Sequence, residues 1–214
     1  MKSYSLNKED VFVFENYINQ KTDDGIFVEL GAVDGIKQSN TCMFEKSLGF
    51  SGVLIEPDPQ QFQHLKLNRP DSKCFNFAIS KIKTQVDMYV SNQPLVSSVV
   101  SNTTEAFKNR WHQNSAIITV PAKSFYQILK EGDIQYIDLF SIDVEGCEHE
   151  VLETMNWDIP VYIIIIESYH QNWEKCKSIL EKQNFKYIRT DRRNDIWINE
   201  NYFRKNLLYK KIDE

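Results

Sequence analysis

The 214 residues contain no stretch rich in proline, glycine and serine, no internal repeat and no low-complexity block. A linker between domains therefore has nowhere to lie. The length suffices to bury one core, so a single domain over residues 1–214 is expected. No window approaches the roughly 18–20 apolar residues that cross a bilayer. The opening MKSYSLNKEDVF lacks the apolar core of a signal peptide, so a cytoplasmic protein without a membrane partner is expected. Cysteine is sparse: Cys42, Cys74, Cys147 and Cys176 form no CxxC pair, which argues against a zinc knuckle or a redox motif. A basic excess is missing as well, since 25 Lys and Arg face 30 Asp and Glu for a net charge of −5. The short basic pairs Arg192–Arg193 and Lys210–Lys211 do not make a phosphate-binding surface, so nucleic acid is not the expected partner. A small-molecule or glycan acceptor suits this balance better.

What is present is an alternation of short apolar runs with helical periods. Residues 7–20 have a helical stripe of Val11, Phe12, Phe14, Tyr17 and Ile18 behind a capping Asn7. Strands are expected at 26–30, 52–56, 74–80, 85–91, 116–122, 136–144 and 161–167, the last containing the Ile163–Ile166 run. Helices are expected at 40–48, 58–68, 123–131, 147–155 and 171–183. Residues 185–190 and 195–199 form a terminal hairpin. Residues 92–115 are polar and without period, and are expected to be a long loop or lid over an acceptor. Alternating strands and helices imply βαβ units and a largely parallel, doubly wound α/β sheet. Such a sheet binds its ligand outside the carboxyl ends of its strands.

Those ends carry the chemistry. The first strand runs into Glu29-Leu30-Gly31-Ala32-Val33-Asp34-Gly35, where glycine allows a tight turn and close backbone approach. Ser39, Asn40 and Thr41 open the next helix. Glu56 ends the second strand, where a carboxylate accepts hydrogen bonds from both hydroxyls of a nucleotide ribose. Acidic Glu29 and Asp34 would repel a diphosphate but suit the sulfonium and ammonium of S-adenosylmethionine (SAM). Further along, Asp143 and Glu145 point to one side of a strand end, and Glu167 and His170 close the next strand. This edge supplies a proton acceptor or an oxygen-rich Mg²⁺ site. His149 suits a surface helix somewhat better than it suits the edge, and His64 and His112 are expected at the surface, with a meeting between His112 and an acceptor as the alternative for this lid residue.

The strings FVELGAVDG, SNT, the following Glu45, GFSGVLIEPDP, NRP, FAIS, FSIDVEGCEHEVL and IIIIES together resemble the FkbM-type methyltransferases over roughly residues 25–200. The resemblance implies a Rossmann-like seven-stranded methyltransferase sheet, mostly parallel with a C-terminal antiparallel hairpin. It implies SAM as cofactor and O-methylation of a hydroxyl on a sugar or natural-product scaffold. By position, Glu29, Gly31, Asp34 and Gly35 should line the methionine part, with Ser39, Asn40 and Thr41 beside it. Glu56 should bind the ribose, with Pro57 near the adenine and Asn76 and Ala78 flanking it. Asp143 should reach the amino end and Glu145 should lie nearer the acceptor. The base or metal ligand is expected among Glu145, Glu167 and His170. Residues 92–115 match only loosely, through Ser97 and Ser98. Residues 1–24 lie mostly outside the match, as a lid helix or a homodimer contact.

An NAD(P)-dependent oxidoreductase would share the sheet and Glu56, but the Gly-x-Gly-x-x-Gly pattern is absent. A scaffold that had lost the cofactor would have no need of Glu29, Glu56 and Asp143 together. An RNA methyltransferase is disfavoured by the charge. Titration calorimetry with SAM and its demethylated product is expected to show binding that Glu56→Ala abolishes. Absence of binding to the intact protein would point to dinucleotides or a scaffold role instead.

Overall fold

The computed structural model describes residues 1–18, 24–91, 93–168 and 173–202. The apolar runs become β1 (Ile26–Leu30), β2 (Ser51–Ile55), β3 (Lys73–Phe75), β8 (Ile137–Ile142) and β9 (Val161–Glu167). The hairpin becomes β10 (Phe185–Asp191) and β11 (Asn194–Asn199). They form one seven-stranded sheet in the order β10-β11-β9-β8-β1-β2-β3. β1, β2, β3, β8 and β9 run parallel, while β11 pairs antiparallel with β9 and with β10. The expected mostly parallel sheet with an antiparallel hairpin is therefore what the chain folds into.

Every residue of β8 and β9 is buried, as expected for strands covered on both faces. Alternate side chains enter opposite cores. Val28, Val53, Phe140 and Ile164 pack under α5 (Phe125–Glu131), α6 (Glu148–Thr154) and α7 (Trp173–Lys182). Phe27, Leu54, Leu139 and Ile163 pack under α1 (Glu9–Asn16), α2 (Cys42–Leu48) and α3 (Pro59–Asn68). Glu29, two residues beyond Phe27, therefore faces the second layer. Among the described residues no helix is long and apolar enough to cross a membrane.

Four expectations change. Residues 74–80 are not one strand: the Asn76 amide donates to the carbonyls of Glu56 at 2.8 Å and Pro57 at 3.0 Å, turning the chain out of the main sheet. Ala78–Ile79 (β4) then joins a second sheet, order β4-β7-β5-β6, with β5 at Gln85–Val90, β6 at Ser98–Val99 and β7 at Ala116–Lys123. Residues 92–115 are also not a plain loop, because they contain β6 and α4 (Glu105–Trp111), the latter capped by Thr104 through the Phe107 N–H. Short amphipathic pieces of this kind fall below the window in which periodicity is visible. His112 is not a surface residue. It is 4% exposed, stacked on Tyr89, and held between the Ser98 and Ser115 hydroxyls at 2.9 and 3.0 Å. Finally, Asn7 does not cap α1. Its backbone N–H donates to Glu9, and Lys8 turns left-handed before the helix begins.

The chain leaving β1 packs closely against the end of the parallel neighbour β8. Gly31 has φ +74°, and a Cβ there would stand 1.7 Å from the Asp143 carbonyl oxygen. Only glycine fits both the left-handed backbone and this approach. Gly31→Ala is expected to cost about 3 kcal/mol or more of unfolding free energy, from left-handed strain plus overpacking, read as a lowered denaturant midpoint.

Candidate functional site

The carboxyl ends of β1, β2, β4 and β8 surround a cleft of about 880 Å³, counting its open mouth. Met88 and the Pro94–Val99 strap of the second sheet close its far side. Of the residues expected here, the structure brings Glu29, Gly31, Ser39, Asn40, Glu56, Pro57, Ala78, Asp143 and Glu145 to the wall. Asp34, Gly35, Thr41 and Asn76 stand behind it. Asp34 accepts the N–H groups of Ile36 and Lys37 and so shapes the loop. Gly35, with φ +78°, leaves room for the Arg69 stem, whose Cγ would lie 2.7 Å from a Cβ. The Thr41 hydroxyl turns inward to Glu29 at 2.7 Å. His170 lies outside the described residues. None of residues 1–18 lines the cleft among the described residues, and α1 covers the Phe27 face of the sheet instead.

Glu56 is buried at the end of β2. One carboxylate oxygen accepts the Val33 N–H at 2.9 Å and the other the Asp58 N–H at 2.8 Å. Each oxygen keeps a lone pair toward the cleft, the pattern that two vicinal hydroxyls require. Val33 itself is left-handed at φ 49°, unusual for a β-branched residue, and strain of this kind gathers at functional sites. Burial pushes the Glu56 carboxyl up to about 7, against the pull of the two N–H bonds.

Glu29 has a different task. One oxygen accepts the Asn40 N–H at 2.9 Å, and the other accepts the Ser39 and Thr41 hydroxyls, both at 2.7 Å. Burial raises its carboxyl, while Arg69 and these bonds oppose the rise. Arg69 is fully buried. It pairs with Glu45, donates to the Gly35 carbonyl at 2.9 Å, and reaches Glu29 at 4.0 Å. In the sequence Arg69 appeared only within the NRP string, and no local pattern marks an arginine whose partners lie 24 to 40 residues away.

Next to the loop, at the ends of β8 and β9, Asp143, Glu145 and Glu167 place carboxylate oxygens within 4.8 Å of one another. The turn after β8 makes this possible. Glu148 accepts the N–H groups of Val144 at 3.2 Å and Gly146 at 3.1 Å, and Glu145 between them is left-handed at φ 51°. Asp143 is exposed at the cleft, whereas Glu145 and Glu167 are buried. Desolvation by the surrounding protein, then Glu167, Glu148 and Glu29, raise its carboxyl above the ordinary range. Burial and Asp143 push Glu145 up to about 10. Arg193, at 3.8 Å from Glu167, is the cation that opposes these rises. His149 stands aside on α6, 3.8 Å from Glu153.

A glycine-turned strand end, a buried glutamate ending the neighbouring strand and an acidic cluster at the ends of β8 and β9, on this strand order, are features of a nucleotide-cofactor-binding α/β domain. The FkbM methyltransferase domain matches residues 29–193, and the chain belongs to that family, which makes it a SAM-dependent methyltransferase. No curated protein matches the sequence. Solved structures similar to the chain include M. capricolum TrmK in complex with S-adenosylhomocysteine (9% identity, TM-score 0.48, covering 95% of this chain and 72% of that one). The TehB-like SAM-dependent methyltransferase from Corynebacterium glutamicum has 8% identity and TM-score 0.42, covering 89% and 87%. A human methyltransferase 10 domain containing protein has 10% identity and TM-score 0.44, covering 92% and 83%.

Glu56 sets a pH dependence. Its carboxylate form is able to accept from two vicinal hydroxyls, as a ribose presents them, and its acid form loses an acceptor. With its carboxyl near 7, affinity for the nucleoside end is expected to fall as pH falls through that value. The expected loss is about tenfold between pH 8 and 6, following the ionised fraction. Titration with 5′-methylthioadenosine, which has the ribose and no charged end, reads this directly, and Glu56→Gln is expected to flatten the profile.

Proposed function

We propose that the protein transfers the SAM methyl group to a hydroxyl oxygen of a sugar, glycan or natural-product scaffold. The observation that carries this reading is the carboxylate trio Asp143, Glu145 and Glu167, gathered within 4.8 Å beside the cleft. A hydroxyl is a poor nucleophile until its proton is taken, so such an acceptor needs a base at this place. SAM supplies an electrophilic methyl group on a cationic sulfonium. In the bare cleft Glu145 holds its proton up to about 10. A positive charge brought to this wall favours the carboxylate and lowers that value. Glu145 then stands ready to accept one proton from the acceptor hydroxyl. Once the positive charge at the wall is gone, its affinity for the proton returns. Asp143 and Glu167 hold the negative field that keeps the cation in place.

Beyond the carboxylates, Met88, Leu95, Val99 and Cys147 give the cleft an apolar wall that limits water around the reacting oxygen. The net charge of −5 supports a small neutral acceptor rather than nucleic acid. Mg²⁺ is the second reading, supported by the same three carboxylates, because clustered carboxylate oxygens are the donors it takes.

Glu145→Gln is expected to lower kcat on a glycan or scaffold alcohol with a free hydroxyl by about 10²–10⁴-fold, with S-adenosylhomocysteine affinity within about threefold of wild type, because the base touches the acceptor. Unchanged turnover would remove Glu145 as the base. Turnover abolished by EDTA and restored by Mg²⁺ would favour the metal reading. Methyl transfer found on nitrogen or on RNA would overturn the acceptor class.

A further inference from the structure

We propose that Arg69, which does not reach the cleft, is a positioning residue that aims Asn40 at the amino-acid end of the cofactor. This inference rests on the SAM reading of the cleft and assigns one contact within it. Asn40 is 6% exposed and lines the cleft wall. Its side-chain amide donates to the Ser141 hydroxyl at 3.0 Å, and its backbone N–H donates to Glu29 at 2.9 Å. Its amide oxygen is buried without a hydrogen-bond partner among the described residues. An acceptor left unsatisfied at such burial is costly unless a ligand donor completes it. Asp143 and Glu145 line the same cleft as Asn40, so a cationic donor drawn to those carboxylates suits this oxygen. The α-ammonium of the cofactor is a donor of that kind.

The loop that carries Asn40 has no regular structure from Gly31 to Thr41. Its position is fixed from behind by a buried ionic knot. Glu29 holds Ser39, Asn40 and Thr41 with three hydrogen bonds. Arg69 neutralises Glu29 and reaches the same loop, at the Gly35 carbonyl (2.9 Å), the Ser39 hydroxyl (3.4 Å) and the Thr41 hydroxyl (3.3 Å). Glu45 on α2 and the Phe27 ring, 5.1 Å away, hold the guanidinium in its plane. A planar group with five donors serves several fixed acceptors at once, which an ammonium cannot do. Without Arg69, Glu29 becomes a buried charge facing the loop alone, and the loop would rearrange to hydrate it.

The test compares two ligands on purified full-length protein by titration calorimetry. S-adenosylhomocysteine has the amino-acid end, and 5′-methylthioadenosine lacks it. Asn40→Ala and Arg69→Met are each expected to weaken S-adenosylhomocysteine by about tenfold or more, the loss of one hydrogen bond to a charged group. Both variants should leave 5′-methylthioadenosine within about twofold, because Glu56 on β2 is untouched. The double variant should be no weaker than the weaker single one, since both act through one contact. Equal losses for both ligands in Arg69→Met would show a general scaffold role and overturn the inference. So would unchanged S-adenosylhomocysteine binding in either variant. If Arg69→Met does not fold, Glu45→Gln keeps the arginine but frees one side of it, and the same ligand discrimination is expected there. Wild-type protein that binds neither ligand would overturn the cofactor reading itself.

Discussion

A buried arginine between two glutamates holds this structure's working end together. Glu29, Arg69 and Glu45 come from β1, the end of α3, and α2, so a single ionic cluster ties a strand, two helices and the loop between them. Each partner would be costly to bury alone, and removing one from such a cluster typically costs about 3–5 kcal/mol. The consequences run outward. Gly35 must be glycine to admit the arginine stem, and Ser39, Asn40 and Thr41 take fixed places because Glu29 consumes their donors. Asn40 is left as the member of the set with an unspent acceptor at the cleft.

The cleft is asymmetric in charge. On the loop side every acidic group is matched, Glu29 by Arg69 and Glu56 by two backbone N–H bonds. At the ends of β8 and β9, Asp143, Glu145 and Glu167 crowd together, with Arg193 beside Glu167. A site with surplus negative charge at low dielectric holds protons, or a cation, or both in turn. Under the proposed function, that property links binding of a positively charged methyl donor to the availability of a base. The left-handed Glu145, pinned by Glu148 across two N–H groups, shows that the turn is built to keep the carboxylates close despite their repulsion.

Much of this was legible in the chain itself. Continuous apolar runs such as VYIIIIE can only be strands covered on both faces, and their alternation with helical periods leaves little choice of topology. The place of Glu56 on the cleft wall was legible, because a residue ending a buried strand about 25 residues after the glycine turn falls at the carboxyl edge of the sheet. Residues 74–80 and 92–115 were not. The first is divided by a single amide, Asn76, which binds carbonyls 19 and 20 residues away. The second makes strands of two residues, too short for any period, and buries a histidine that looks like surface in a polar stretch.

By itself the sequence determined the sheet, its parallel core with an antiparallel hairpin, the family and the strand ends at which chemistry gathers, since periodicity and strand-end residues are local properties. Only the tertiary structure decided which of the expected site residues face the cleft. Asp34, Gly35, Thr41 and Asn76 share the motifs of Gly31, Asn40 and Ala78 but turn the other way, because their hydrogen bonds and packing are spent on the loop and on Arg69. The arginine's role was likewise invisible in the chain. A charge becomes a structural centre only when distant segments bring it opposite charges and remove its water, and that is a property of the assembled fold.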